Sequence, residues 1–445
     1  MYRFPDNLFT EVRIEKTEYA NYFVKNGEVE ANSRSSVAGA RIRVFDGSMW
    51  YTSVTNDMDA IQTEIDNLAA LAVPKADIYD DPIIRNFGSA KADCVKYNGE
   101  NDIRRITNQQ WEKLVGGYIA ACVDPSIEEI KTYYAGCGSS HKVKEYYSSK
   151  GAGIRQDMQR CSLNLSFDIV VDGVTTTAGK YYQELSFDKL KDREQEIIAE
   201  RDRYLDYARN AVDVEAGDYT CVLAPIVTAM FTHESFGHKS ESDFMLNDRT
   251  LQDEWVIGKM VGNEKVSICD SGDMENNGYT PYDDEGNPAK ETWLIKNGVL
   301  TGRLHDAKSA SVLKEEITGN ARADGYGCSP MVRMTNTYMA KGNDAAERIT
   351  KEVEDGIYVY NVNYGTGSST FTMQPNLCYR IRGGRLCEPV RANVITGNVF
   401  KTLFDIDAVG DDFKLFDTYT CGKNGQSVPV SAGGPTIRVK KLTVN

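Results

Sequence analysis

The sequence contains little histidine: His141, His233, His238 and His305 are the four in a chain of 445 residues. It also lacks any run of about 18 apolar residues, the length that crosses a bilayer, so no membrane segment is predicted. The ten cysteines stand singly, without a Cys-X-X-Cys pair, which excludes a dense disulfide framework and favours a reducing compartment. The first residues carry acidic side chains and no apolar stretch typical of a signal peptide, so a cytoplasmic location is predicted.

The charge balance is acidic, with 51 Lys and Arg against 65 Asp and Glu and a formal net charge of −14. No long basic run interrupts it, and an acidic surface repels nucleic acid phosphates. Direct binding of nucleic acid is therefore not predicted. The hydrophobic share of 41% is enough for more than one core, and the length is typical of about two or three domains.

The predicted fold is α+β. An N-terminal α/β domain, residues 1–215 with possible subregions 1–125 and 126–215, would have strands packed on helices. A β-rich C-terminal domain, residues 216–445, would carry the helix of the candidate site, with Pro225 in its first turn. Other predicted elements are strands at 19–29, 40–45 and 49–54, helices at 58–72, 109–122 and 188–212, and a turn at 172–173.

Two of the four histidines are five residues apart, in the pattern His233-Glu-X-X-X-His238. Two histidines with a glutamate beside the first are typical of zinc proteases, but at a spacing of four. In an α-helix a spacing of five separates side chains by about 140°. Both imidazoles reach one ion only if the helix ends or distorts, and Gly237 is predicted to leave the helical region there. The alternative is an ordinary helix end, where the helix dipole favours histidine.

A catalytic zinc takes three protein ligands and one water, so a third ligand is required. Spacing alone leaves four candidates open: Glu241, Asp243, His305 and Cys421. Cys421 opens the segment Cys-Gly-Lys-Asn-Gly, where a glycine-rich turn could present a thiolate to a metal. A buried structural thiol is the alternative for this residue.

Several polar residues are predicted to contact a substrate. A β-rich domain can bind an extended peptide at a strand edge. His305, beside Asp306, is a candidate for stabilising an oxyanion, and a surface pair is the alternative. The acidic segment 283–286 lacks the ligand spacing of a calcium loop and is predicted to be a solvated turn. The other candidates for the peptide cleft, for which turn capping and strand pairing are the alternative, are Asn320, Arg322, Thr335 and Asn336.

Two segments resemble the metal motifs of the TldD/PmbA family: HESFGHKSESD at 233–243 and CGKNGQSVPV at 421–430. Shorter matches at 318–322 and 333–337 lie between them in the same order. The resemblance implies a peptidase that acts on unfolded or extended peptides. It implies His233, His238 and Cys421 as zinc ligands and Glu234 as the catalytic carboxylate.

The resemblance also implies partners. Members of this family pair as homodimers, or as heterodimers with a paralogue that lacks the zinc motif, and the family label "modulator of DNA gyrase" is the one link to gyrase. The competing function is a non-catalytic protein that binds peptides or gyrase in the same cleft. The presence of Glu234 favours an enzyme, because a purely structural metal site has no use for a base.

Overall fold

The computed structural model of the protein describes residues 2–367 and 369–445. Long strands dominate these residues and helices cover or connect them, so the predicted α+β class is confirmed. None of the helices in these two ranges is both long and apolar enough to cross a lipid bilayer.

The N-terminal half is built on one seven-stranded sheet. Its strands are β1 (Phe9–Lys25), β2 (Glu28–Phe45), β3 (Trp50–Thr55), β4 (Lys91–Cys94), β5 (Ile130–Ser148), β6 (Gly153–Val171) and β7 (Val174–Glu184). They follow the spatial order β3-β2-β1-β5-β6, and β4 and β7 both pair with β6. The pairings are antiparallel, apart from the parallel contact between β4 and β6.

Two-residue turns set the lengths of these strands. Asn26 and Gly27 have φ angles of 47° and 88°, which suit the tight hairpin between β1 and β2. The predicted strand at 19–29 is therefore wrong, because it runs through this turn. The predicted turn at Asp172-Gly173 is present, with φ angles of 49° and 79°, and joins β6 to β7.

Four helices accompany this sheet: α1 (Ile61–Leu71), α2 (Pro82–Arg85), α3 (Asn108–Cys122) and α4 (Glu194–Asn210). α1, α3 and α4 cover one face, whereas the short α2 packs with Phe9 and Phe45, whose side chains point to the other face. The three predicted helices are present, but residues 58–60 and 187–190 form 3₁₀ turns. Trp111 of α3 and Tyr204 of α4 pack with Leu163 and Leu165 of β6 in one buried cluster. Apolar residues on one face of each helix thus account for this layer.

The C-terminal half contains many shorter elements. Its helices are α5 (Pro225–Thr232), α6 (His238–Ser240), α7 (Arg249–Glu254), α8 (Ala307–Leu313), α9 (Ala346–Lys351) and α10 (Val399–Asp405). Its strands are β8 (Val212–Asp213), β9 (Gly217–Leu223), β10 (Ile268–Ser271), β11 (Glu291–Lys296), β12 (Val299–Leu300), β13 (Ala321–Arg322), β14 (Met331–Val332), β15 (Asn336–Met339), β16 (Asp355–Gly367), β17 (Thr370–Arg382), β18 (Arg385–Arg391), β19 (Ile395–Asn398), β20 (Ile406–Val409), β21 (Lys414–Lys423), β22 (Gln426–Gly434) and β23 (Ile437–Val444).

These strands form two main sheets. The first has the order β12-β11-β10-β15-β22-β21, so β21 is an outer strand. In the second, β16, β9, β23, β19 and β17 pair in a closed ring, which makes a small barrel. β8, which precedes the predicted domain boundary at 215/216, already pairs with β18 of the second sheet. The boundary itself stays a prediction.

Helix α5 lies between these two sheets. It begins at Pro225, as predicted, and contacts β22, β15 and β21 on one side and β16 on the other. Val227 and Phe231 are fully buried in the core that the two sheets share. Because α5 is enclosed in this way, the histidine motif that follows it also lies inside the protein.

Buried charges join the two halves. Lys144 of β5 donates to Asp284 at 2.8 Å, and the backbone amide of Gly88 donates to the carbonyl oxygen of Glu285 at 3.0 Å. The backbone amides of Glu285 and Asn287 donate to Asp283, which is 1% exposed. The turn predicted at 283–286 is present, with the Gly286 amide donating to the Asp283 carbonyl oxygen at 3.2 Å, but the prediction that it is solvated is wrong. Its carboxylates are paired at the contact with the N-terminal sheet, where solvent is excluded.

Candidate metal centre

A π-helical turn at His233–Gly237 connects α5 to α6. The backbone N–H of His238 donates to the carbonyl oxygen of His233, five residues earlier. A turn closed over five residues brings two side chains five apart onto the same side, which an α-helix does not. The predicted distortion between the histidines is therefore present, in the form of a widened turn.

Gly237 does not act as predicted. Its φ and ψ of −55° and −59° are helical, so the expected departure from the helical region is wrong. Space explains the glycine instead, because a Cβ at this position would lie 1.9 Å from the Met334 sulfur. Met334 is fully buried, so the turn and the core beneath it fit only without a side chain at 237.

His233, His238 and Cys421 converge. One potential ligand atom from each lies within 4.8 Å of the other two. The two imidazole rings are 5.1 Å apart, centroid to centroid, and nearly perpendicular. The Cys421 Sγ lies 3.7 Å from His238 Nε2. The structure thus brings together the three residues that the family resemblance implies as ligands.

These groups favour each other's charged forms. Burial alone would raise the pKa of Cys421, but hydrogen bonds from His233 and His238 lower it to about 5. Burial lowers the pKa of His238, whereas the thiol and Glu241 raise it to about 10. Cys421 is therefore a thiolate at neutral pH, which is the form that binds metal ions.

Glu241 fixes the orientation of His238. Its Oε2 lies 3.1 Å from His238 Nδ1, so the other nitrogen, Nε2, faces Cys421. Glu241 is fully buried, and Lys423 Nζ lies 3.2 Å from the same oxygen. Burial opposes ionisation of Glu241, but His238 and Lys423 outweigh it and lower its pKa. A carboxylate behind a histidine is a frequent support of metal ligands.

One face of β21 supplies the opposite wall of the centre. Tyr419, Cys421 and Lys423 alternate along the strand, and the residues between them are exposed. The Tyr419 ring lies 6.2 Å from the His233 ring and nearly parallel to it, and Lys423 donates to Asp243 at 2.7 Å. The sequence interpretation missed Tyr419 and Lys423, although their period of two around Cys421 is the signal that could have revealed them.

Glu234 is half-buried on the widened turn, next to His233. Burial raises the pKa of its carboxyl group, and the two histidines oppose that rise. Two glycines let strand β16 pack closely against Glu234. A Cβ at Gly367 would be 2.5 Å from the Glu234 carbonyl oxygen. One at Gly365 would be 3.3 Å from the Glu234 Cγ. A carboxyl group with a raised pKa beside the candidate ligands suits proton transfer.

The other candidate third ligands are engaged elsewhere. Glu241 backs His238, and Asp243 accepts from Lys423. His305 is 1% exposed, with its nitrogens 2.9 Å from Ser242 Oγ and 2.9 Å from Glu315. The predicted surface pair with Asp306 is therefore wrong, because the Asp306 side chain caps α8.

The residues predicted to contact a peptide are buried. The Asn320 amide donates to Asp270 at 2.9 Å, and the Thr335 hydroxyl donates to the same carboxylate at 2.6 Å. The Asn336 amide donates to the Ser271 carbonyl oxygen at 2.7 Å. These partners argue against the predicted peptide contacts of Asn320, Thr335, Asn336 and His305. Arg322 differs, because it lines a cavity.

The donor set fits a metal ion. His233 Nδ1 is buried and has no hydrogen-bond partner within residues 2–367 and 369–445. Such an orphaned nitrogen is costly unless a further group binds it. A thiolate and two imidazoles are ligands that suit zinc.

Comparison with known proteins agrees with this arrangement. Residues 216–445 match the PmbA/TldA metallopeptidase C-terminal domain, and residues 10–73 match PmbA/TldA metallopeptidase domain 1. Metalloprotease slr0863 of Synechocystis is 29% identical over 444 residues, which cover 98% of this chain and 94% of that protein. The zinc metalloprotease TldD homolog of Saccharolobus solfataricus is 31% identical over 381 residues, covering 82% and 84%.

The fold is shared as well. The crystal structure of TldE from Thermococcus kodakarensis superimposes with a TM-score of 0.75 at 15% identity and covers 98% of this chain and 96% of that one. Fold, site and relatives together define a protein of the metalloprotease class. The chain belongs to the PmbA/TldD metallopeptidase family, as its sequence motifs predicted.

Replacing Gly237 with alanine is expected to destabilise the protein by about 1–3 kcal/mol, because the new methyl group meets Met334 in a closed core. Helix propensity alone predicts the opposite sign, since alanine is the better helix former. Urea unfolding and metal content measure the effect. The double variant Gly237→Ala/Met334→Ala lacks the Met334 sulfur that the new methyl group would meet. It should therefore bind more metal than the single variant Gly237→Ala. A single variant as stable as the wild type would contradict the steric explanation.

Replacing Glu241 with glutamine is expected to weaken metal binding about 10- to 100-fold. The neutral amide would orient the His238 ring less strongly, and the imidazole of His238 would be less basic beside it. Competition with a chromophoric chelator, with Zn²⁺ as titrant, measures the affinity. Glu254→Gln is the control, because Glu254 pairs with Lys239 away from the ligands. Equal affinities for both variants would remove Glu241 from the centre.

Proposed function

We propose that the protein is a zinc-dependent peptidase that hydrolyses unfolded or extended peptides. The observation that supports this most directly is the convergence of His233, His238 and Cys421 within 4.8 Å, with a buried unpaired nitrogen on His233. Glu234, on the same turn, supplies the acid–base group that a structural metal site does not need. The names of the relatives as metalloproteases agree with this class of reaction.

In the proposed mechanism His233, His238 and Cys421 would hold a zinc ion, which would supply Lewis-acid chemistry there by activating water and polarising the peptide carbonyl group. Glu234 accepts the proton of the attacking water and delivers it to the leaving amine nitrogen. Glu241 keeps His238 Nε2 directed at Cys421, and His238 and Lys423 favour the ionised form of Glu241.

The position of β21 supports the proposed substrate class. This strand carries Cys421 and is the outer strand of its sheet, so its outer backbone groups can pair with an added strand. A peptide bound in this way must be extended, and main-chain hydrogen bonds give affinity with little sequence preference. An unfolded chain presents such a segment readily, so unfolded peptides are the proposed substrates.

Assembly belongs to the same proposal. Among the described residues, β1 is the one strand that pairs with residues 28–39 of β2, because the pairing of β3 with β2 ends at Ala40. Val29 and Val37 are about half exposed there. Natural proteins seldom leave a long sheet edge uncovered. A dimer, formed by two copies or with a paralogue, would cover it. The cytoplasmic location and the gyrase link stay predictions.

Replacing Cys421 with alanine is expected to remove bound zinc, because two imidazoles without the thiolate make a much weaker site. Wild-type protein should contain one zinc per chain by elemental analysis, and the variant close to none. Cys378→Ala is the matched control, since Cys378 is a fully buried free thiol of the barrel. Zinc that remained in the Cys421 variant would refute this ligand set.

Replacing Glu234 with glutamine is expected to slow peptide hydrolysis about 10²- to 10⁴-fold while zinc remains bound, because the ligands are intact but the proton acceptor is lost. Cleavage of unfolded casein and of an unstructured fluorogenic peptide measures the rate. Glu264→Gln, at an exposed position, should behave as wild type. Wild-type cleavage by the Glu234 variant would exclude this mechanism, and wild-type protein that binds peptides without cleaving them would favour the binding function.

A further inference from the structure

A cavity of about 190 Å³ lies between the N-terminal sheet and the β21–β22 hairpin. Thr420 and Pro429 line it on the C-terminal side, and Ser140 and Arg160 on the N-terminal side. A second cavity, of about 310 Å³, shares these four residues, so the two form one groove. Thr420 immediately precedes Cys421 and is exposed on the other face of β21, so the groove runs directly behind the metal centre.

The walls of the smaller cavity are basic. Lys142, Lys144, Arg160 and Arg322 line it, against one acidic lining residue, Asp324. This is a local excess of positive charge in a chain whose formal net charge is −14. The two lysines have carboxylate partners close by: Lys142 Nζ lies 3.2 Å from Glu15, and Lys144 pairs with Asp284. The excess charge therefore rests on the two arginines.

Neither arginine has an acidic partner in the part of the chain that the structure describes. Arg160 donates to the side-chain oxygen of Asn277 at 2.5 Å and to its carbonyl oxygen at 2.7 Å. Arg322 donates to the carbonyl oxygens of Met334 and Pro429. All of these acceptors are neutral, so no direct ion pair offsets the positive charge of either guanidinium.

The nearest carboxylates are already committed. Asp270, close to Arg322, accepts from Asn320 and Thr335. Asp417, close to Arg160, accepts from the Asn277 amide at 3.1 Å and from a serine hydroxyl. These carboxylates cannot turn towards the cavity without leaving buried donors unsatisfied.

Two charged guanidiniums that line one cavity disfavour each other. Burial lowers the pKa of Arg160, and the charge of Arg322 lowers it further, to about 10. Burial and the charge of Arg333 lower the pKa of Arg322 to about 10 as well. Both groups remain charged at neutral pH, and an unpaired buried charge is unfavourable unless a counter-charge is bound.

We propose that this cavity is an oxyanion site, in which Arg160 and Arg322 bind a carboxylate or a phosphate-like group. A guanidinium presents paired N–H donors to such oxygens. A volume of about 190 Å³ admits the end of a peptide or a small free anion, but not a folded partner. Where the anion is a peptide carboxylate, the inference rests on the proposed function, and the site would fix the peptide beside β21.

Isothermal titration of the full-length protein tests the site with three probes at constant ionic strength: inorganic phosphate, N-acetyl-tetra-alanine, and the C-terminal amide of that peptide. Glu234→Gln protein is used so that the peptides are not consumed. We expect at least one anionic probe to bind at least about tenfold more tightly than the amide. Tighter binding of the free-acid peptide identifies a peptide carboxylate as the ligand, and binding of phosphate alone identifies a free anion.

Single-residue variants test where the anion binds. Arg160→Gln and Arg322→Gln should each weaken anion binding at least about tenfold, while Arg155→Gln, on the same strand but half exposed, should not. Cys421→Ala should retain phosphate binding, since binding that disappears with the metal would be binding to the metal. Circular dichroism checks that each variant is folded.

The proposal fails if protein that retains Arg160 and Arg322 binds no anionic probe more tightly than the amide. This comparison needs no arginine variant. It also fails if folded Arg160→Gln and Arg322→Gln proteins bind as before, or if Cys421→Ala abolishes binding. Each of these results is independent of peptidase activity, because hydrolysis and zinc content are measured separately. If the protein is a zinc peptidase that cleaves free-acid and amidated peptides equally and binds no anion, the oxyanion site is refuted and the proposed function is not.

Discussion

The hydrogen bond from the His238 N–H to the His233 carbonyl oxygen is the interaction on which the centre depends. It closes a turn over five residues and thereby cancels the wide angular separation that an α-helix gives to this spacing. An isolated peptide would not hold such a turn, because its hydrogen bonding is poorer than that of an α-helix. Here the turn is enclosed by the two C-terminal sheets, and Met334 occupies the space that a larger residue at 237 would need.

The centre also depends on β21, an outer strand whose two faces border different sites. On its inner face β21 places Tyr419, Cys421 and Lys423 against the widened turn. On its outer face Thr420 borders the basic groove beside the N-terminal sheet. One strand thus separates a thiolate–imidazole centre from a cavity with excess positive charge. The pleat of a β-strand, which sends successive side chains to opposite faces, is sufficient to create this division.

The buried charges between the two halves give the groove its shape. Carboxylates of the segment 283–286 are paired with Lys144 and with backbone amides where that segment meets the N-terminal sheet. Charges removed from water are tolerated only when they are paired or hydrogen-bonded. The contact therefore has a defined geometry, and Arg160 and Arg322 stand apart from it because their acceptors are neutral.

The sequence by itself determined the α+β class, the helices at 58–72 and 109–122, the proline start of α5, and the family, through the motifs at 233–243 and 421–430. These depend on local patterns. Only the tertiary structure decided how two histidines five residues apart face one point. It also showed that position 237 has no room for a side chain and that the segment 283–286 is buried. Each of these depends on atoms distant in the chain, such as the Met334 sulfur and Lys144, and contacts between distant residues leave no periodic signal in the sequence.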